Sequence, residues 1–332
     1  MTIAAAANVL PDALHPFATV WDKPALEDIW VNAPGAFYAR IAGKTARYEC
    51  PDLDALAVEA IASFAGHLRG QYADTQSPIL DAELPTGERL SIVLPPCTPA
   101  GKPSLSLRRG PDVLPSLDAL DEGGLWNLIK AHRGNAPDAM TERRRLAKSM
   151  LAAGEVNKFF RYCIGQRWSI AFVGQTGSGK TTDATALVME IPQSERIITV
   201  ADTEEWARLP HPNRVSFLYK KGDKRITCET MIEASLRNAP DWLLVQEVRD
   251  GSAFAFLRGL ASGHPGMTSW HAASAATAFS TLTTMVRQHE SGRQFPEDAL
   301  RELMRATVNV VVHVERGVQG FRATDIKFGV EI

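Results

Sequence analysis

A nine-residue stretch, Gly174-Gln175-Thr176-Gly177-Ser178-Gly179-Lys180-Thr181-Thr182, restricts the folds open to this 332-residue chain more than any other feature. It has the G-x-x-x-x-G-K-[ST] spacing of a phosphate-binding loop. Such a loop works between a buried strand and the first turn of a helix. There the glycine backbone wraps an anion and the unpaired N–H groups of the helix face it. Both neighbours are present. Trp168-Ser169-Ile170-Ala171-Phe172-Val173 is short and largely apolar, as a strand buried on both faces must be. Ala184, Leu187, Val188 and Met189 mark a helix over 181–190, ended by Pro192. Gly174, Thr176, Gly177, Ser178, Gly179 and Thr182 are therefore expected around the phosphates. Lys180 should reach the terminal ones, and the Thr181 hydroxyl should hold Mg2+. The ligand is a nucleotide.

From about residue 156 strands and helices alternate, which predicts an α/β domain with a mostly parallel sheet. Residues 157–163 read as a helix leading to the loop strand. Arg196-Ile197-Ile198-Thr199-Val200-Ala201 is a second buried strand, and it ends at Asp202-Thr203-Glu204-Glu205. Ligands bind at the carboxyl ends of such strands, so Asp202 can join the Mg2+ shell through water, and Glu204 or Glu205 can polarise the attacking water. Trp242-Leu243-Leu244-Val245 leads to Gln246 and Glu247, an apolar run with an acid at its end. Glu247 is the candidate that faces Mg2+ there. Arg249 and Arg237 are the nearest cations for phosphate oxygens. Residues 267–270 form a fourth strand that delivers His271 to the same edge, where it can sense the γ-phosphate. His264 reads equally as a structural or a functional residue, and neither histidine has a second metal ligand at suitable spacing. A helix over 295–306, a strand over 308–314 and strand-like alternation over 322–332 complete this half.

The first half predicts a smaller α+β module. A Pro-Gly turn joins strands within 29–38, and apolar residues spaced by three and four make a helix over 53–68, started by Pro51 and Asp52. A hairpin spans 78–94, and Ser104-Leu105-Ser106-Leu107-Arg108-Arg109 alternates as a strand. Arg108 and Arg109 read either as solvated strand-end charges or as phosphate contacts on a nucleotide held by the other domain. A polar stretch with one or two helices follows; its Arg143-Arg144-Arg145 run reads as a solvated face. The boundaries expected are 1–118 for the first domain, 119–155 for a helical linker and 156–332 for the nucleotide domain.

Composition narrows the partners. A net charge of −2 gives no global basic signature for nucleic acid. Cys50, Cys97, Cys163 and Cys228 show neither paired nor zinc-like spacing and read as reduced core thiols. The first residues lack the basic start of a signal peptide, and no apolar run approaches the ~18 residues of a membrane span, so membrane association would be peripheral.

The order of these boxes resembles the VirB11-like secretion ATPases, the traffic ATPases of type IV secretion and conjugation, relatives of the type II secretion and pilus ATPases. The likeness is carried by 174–182, by the acidic box 198–205, by 236–241 through Glu247-Val248-Arg249-Asp250, and by the histidine box Gly263-His264-Pro265-Gly266 through His271-Ala272. Residues 29–35, Pro95-Pro96 and 104–109 match its first domain. The resemblance implies a RecA-like ATPase domain, a homo-hexameric ring and Mg2+-dependent ATP hydrolysis that drives domain motion. It also implies a cytoplasmic position, peripheral at a bacterial inner membrane, with cytoplasmic and inner-membrane components of a secretion machine as partners. Arg108, Arg109 and Arg133 become candidate phosphate contacts by the same resemblance. Two positions depart from the family pattern. Ala201 stands where the acidic box opens with Glu, leaving the water to Glu204 or Glu205, and Gln246 stands where Gly precedes the Glu of the strand-end acid. The competing classes are a nucleic-acid translocase or helicase on a similar core, and an assembly module that binds nucleotide with little turnover.

Overall fold

The computed structural model describes residues 12–110, 116–127, 139–318 and 320–332. Two compact units divide the chain: 1–110 together with 168–332, and 111–167.

The larger unit begins with a 3-10 turn, Asp12–Phe17, and the short helix α1, Ala18–Trp21. An antiparallel sheet follows, built from β1 (Leu26–Ala33), β2 (Ala36–Ile41), β3 (Lys44–Glu49), β4 (Ile79–Glu83), β5 (Arg89–Val93) and β6 (Ser104–Arg108), in the order β3-β2-β1-β6-β5-β4. Helix α2, Ala55–Arg69, joins its two halves. The helix starts later than Pro51-Asp52 suggested. Asp54 is the cap, its carboxylate accepting from the Ala57 N–H at 2.7 Å, while Leu53 and Val58 on either side of it are fully buried, as in a hydrophobic staple. β3 was not anticipated, since five of its six residues are not even half-buried. The turn Ala42-Gly43 creates it: both residues have positive φ, 49° and 73°, the twist of a tight hairpin. Phe17, Ile29, Phe37, Ile61 and Leu105 lie in the core between this sheet and α2.

The smaller unit contains α3 (Leu117–Glu122), α4 (Ala139–Ala152) and α5 (Val156–Gly165). Within it, Arg145 pairs with Glu142 one turn away, Nη2 to Oε1 at 2.7 Å.

The second part of the larger unit is a seven-stranded sheet. In chain order it comprises β7 (Ile170–Val173), α6 (Lys180–Val188), β8 (Ile197–Ala201), β9 (Arg214–Leu218), α7 (Cys228–Arg237), β10 (Trp242–Val245), α8 (Ser252–Ala261) and β11 (Gly266–Trp270). Then come α9 (Ala278–Val286), α10 (Glu290–Arg293), α11 (Glu297–Thr307), β12 (Val310–Gly317) and β13 (Gly320–Phe328). The sheet runs β13-β12-β7-β11-β10-β8-β9, parallel throughout except for the β12–β13 hairpin. β7, β8, β10 and β11 are buried at every position, which is why their sequences are apolar runs without alternation. This is the α/β architecture expected, with the smaller α+β sheet ahead of it in the chain.

Arg196 joins the two sheets. It is 0% exposed, and its guanidinium donates to Asn32 Oδ1 at 2.7 Å, Asn213 Oδ1 at 2.6 Å and the Asn238 carbonyl at 2.8 Å. It also lies 4.9 Å from the ring centre of Trp30 on β1. Asn32 and Trp30 belong to the first sheet; Asn213 and Asn238 belong to the second part. A buried guanidinium needs hydrogen bonds and nearby countercharge; Nε and Nη1 have acceptors, Nη2 has none among the described residues, and Asp241 and Asp28 supply the charge. The Leu218 N–H also donates to the Cys97 carbonyl at 2.8 Å, tying the loop after β5 to the edge strand β9.

Candidate active site

Strand order dictates what meets the phosphate loop. β11 lies beside β7, β10 is next, and β8 is third, roughly 14 Å from β7 at ordinary strand spacing. His271 follows β11, Glu247 follows β10, and Asp202 with Glu204 and Glu205 follows β8, so all reach one edge of the sheet.

Within the loop, Gly174, Gly177 and Gly179 hold φ values of 155°, 73° and 87°. Gly174 is sterically obligatory as well, since a Cβ there would stand 2.1 Å from the Val314 carbonyl oxygen of β12. Thr176, Gly177, Ser178, Gly179, Lys180, Thr181 and Thr182 line a cavity of about 370 Å³, joined by Gln246, Glu247, Arg249, Ser269 and His271. Phe321 of β13 closes one side, its ring 3.0 Å from where a Gly179 Cβ would sit.

Lys180 is buried and folds onto its own loop, donating to the carbonyls of Gly174 at 3.0 Å and Gln175 at 2.8 Å. Burial pulls its pKa down, against the attraction of Glu247. His271 stands between the lysine and the acid: Nδ1 is 3.5 Å from Lys180 Nζ, and Nε2 is 3.1 Å from Glu247 Oε1. Nδ1 also lies 3.1 Å from the Gly174 carbonyl, so one ring nitrogen contacts the phosphate loop and the other contacts Glu247. Arg249 donates to the other oxygen of Glu247 at 2.6 Å. Burial works against the charge of Glu247, but the Arg249 hydrogen bond and charge, with His271 and Lys180, outweigh it and hold the carboxyl below the usual range. Glu247 Oε1 is buried and, apart from His271, meets no donor among the described residues.

The acidic box divides. The Asp202 carboxylate pairs with Lys221, which more than offsets its burial and keeps it ionised. The Glu205 carboxylate accepts a hydrogen bond from Gln246 Nε2. Burial raises its pKa, and the charges of Asp202 and Glu247 add to that against the lowering effect of Gln246. Glu204 faces elsewhere, into a cavity of about 280 Å³ shared with Asn32, Tyr38 and Arg214.

The arginines also divide. Arg249 enters the phosphate-loop cavity, whereas Arg237 pairs with Asp81 at 3.1 Å. Arg108 and Arg109 do not line the phosphate-loop cavity. Arg109 donates to the Trp21 carbonyl at 2.6 Å and lies 3.6 Å from Glu88, and Arg108 lies 3.9 Å from Asp28. Arg133 lies outside the described residues. Lys221 and Phe321 were not anticipated from sequence. Phe321 reaches the loop only because β12 pairs with β7, a proximity that no local pattern signals.

Mg2+ fits this edge. Among the described residues no three His, Cys, Asp or Glu side chains form a ready cage. Mg2+ beside a nucleotide takes one or two protein oxygens and fills its shell with phosphate and water. The Thr181 hydroxyl and the under-partnered Glu247 Oε1 are such oxygens.

The fold and this edge define a P-loop nucleotide-binding protein of RecA-like architecture. The family described as "Type II/IV secretion system protein" matches residues 144–318. The chain is 35% identical over 307 residues to the protein VirB11 of Agrobacterium fabrum, covering 90% of this chain and 87% of that one. It is 32% identical over 321 residues to the type IV secretion system protein VirB11 of Brucella suis, covering 95% and 87%. The crystal structure of the Brucella suis VirB11 ATPase, in complex with sulphate, superposes with a TM-score of 0.89 at 31% identity, covering 96% of this chain and 94% of that one. The chain belongs to the VirB11 family of type II/IV secretion ATPases. Among the described residues no helix is long and apolar enough to cross a membrane.

Proposed function

We propose that this protein hydrolyses ATP in a Mg2+-dependent reaction within a ring of six copies, and that hydrolysis moves its domains to power type IV secretion, conjugation or pilus assembly. The observation that carries the reading is the convergence of Lys180, His271, Glu247 and Arg249 on one phosphate-loop cavity. The loop N–H groups and Lys180 bind the β- and γ-phosphates, Lys180 exchanging its loop carbonyls for phosphate oxygens. Thr181 and Glu247 would hold Mg2+, which would supply charge neutralisation at the phosphates. Glu205 accepts a proton from water as the water oxygen bonds the γ-phosphorus; the bond from that phosphorus to the β–γ bridging oxygen breaks, and ADP departs with the bridging oxygen. His271 reports the γ-phosphate to Glu247 through its two ring nitrogens.

The ring works in the cytoplasm, bound peripherally to inner-membrane components of the secretion machine. Lys180→Ala should abolish phosphate release while leaving the circular dichroism spectrum unchanged; a variant that turns over ATP at the parental rate refutes the reading.

A further inference from the structure

The acidic box contains two adjacent glutamates, and a single residue outside it distinguishes them. Gln246 follows β10, and its backbone is held from both sides: its N–H donates to the Val200 carbonyl of β8 at 2.9 Å, and its carbonyl accepts from Ser269 Oγ at 2.9 Å. Its side chain then crosses toward β8. Oε1 accepts the Asp202 N–H at 3.2 Å, and Nε2 donates to Glu205 Oε1. The amide fits in this orientation alone. Turning it over would set its NH2 against a backbone N–H and its oxygen against a carboxylate. Gln246 also lines the phosphate-loop cavity, which Glu205 does not, so the amide links that carboxylate to the cavity wall.

Among the described residues Glu204 makes no equivalent side-chain hydrogen bond, and it lines the separate cavity with Arg214. A glycine at position 246, the residue of the family pattern, has no side chain with which to select either acid. We propose that Gln246 is a positioning residue that assigns water activation to Glu205 rather than Glu204. The assignment rests on the ATP-hydrolysis reading above. Gln246 touches no reacting atom. It limits the orientations of Glu205, which a long and partly exposed side chain otherwise samples freely.

The test uses the full chain, with steady-state phosphate release and equilibrium binding of a fluorescent ATP analogue measured on the same preparations. Gln246→Ala should lower kcat roughly tenfold, the scale of one charge-assisted hydrogen bond, with KM and analogue affinity unchanged. Placed on Glu205→Gln, the same substitution should add nothing; placed on Glu204→Gln, it should lower kcat by its full factor. Gln246→Glu keeps the length and the acceptor for Asp202 but confronts Glu205 with like charge, and should be no better than the alanine variant. Three results overturn the proposal: an unchanged kcat in Gln246→Ala, independent multiplication with Glu205→Gln, or a loss confined to analogue affinity. A parent chain that binds the analogue yet releases no phosphate removes the hydrolysis reading and this assignment together.

Discussion

Replacing Arg196 by alanine tests whether the two sheets of the larger unit stand or fall together. The substitution removes a fully buried cation and three hydrogen bonds of 2.6–2.8 Å, two of them to asparagine side chains on opposite sides of the junction. It also removes the smallest of three arginine influences on Asp28, which is 3% exposed and whose pKa burial raises against the pull of Arg108 and Arg40. Breaking a buried ionic network from one side costs about 3–5 kcal/mol, against a total stability of about 5–15 kcal/mol for a folded domain. At a urea dependence of about 3 kcal/mol per molar, the unfolding midpoint should fall by about 1–1.7 M. Loss should concentrate at the junction, so tryptophan fluorescence and far-ultraviolet circular dichroism, coincident in the parent, should separate as the first sheet melts ahead of the second. Arg196→Met keeps much of the stem against Trp30 and separates lost packing from lost charge. A midpoint within about 0.2 M of the parent in the alanine variant would show that the junction does not couple the sheets.

Two further outcomes follow from the site. Gly174→Ala should abolish binding of a fluorescent ATP analogue, because its Cβ would sit 2.1 Å from the Val314 oxygen and β7 and β12 would have to part; retained affinity would mean that the loop tolerates the shift. The pH profile reads Glu205 directly. Its pKa is raised by burial and by neighbouring acids, and a base must be ionised to act, so kcat should fall with decreasing pH at a value above the ordinary glutamate range. A profile flat through that range would exclude Glu205 as the base.

Sequence was most informative where function and local geometry demand the same residues. The phosphate loop needs glycine at fixed offsets between an apolar strand and a helix, and all three were visible together. The strands carrying Asp202, Glu247 and His271 were likewise recognisable as short apolar runs, because they are buried on both faces. β9 escaped notice. Its five residues begin with an arginine after a proline-rich loop, and its place as an edge strand is set by pairing with β8. The Arg196 junction was beyond local reading too, since Asn32 is 164 positions away in the chain. Gln246 was visible as a departure from the family pattern, but its meaning lies in a contact with Glu205, 41 positions away.

The way Lys180 binds its own loop has a consequence for ligand choice. An ammonium has three N–H donors, and Lys180 spends two of them on carbonyls at 3.0 and 2.8 Å, so phosphate oxygens beyond the first are taken in exchange for a carbonyl. The self-bonded lysine thus sets a cost on its second and third ligand contacts, which a longer polyphosphate chain offsets by engaging more of the loop.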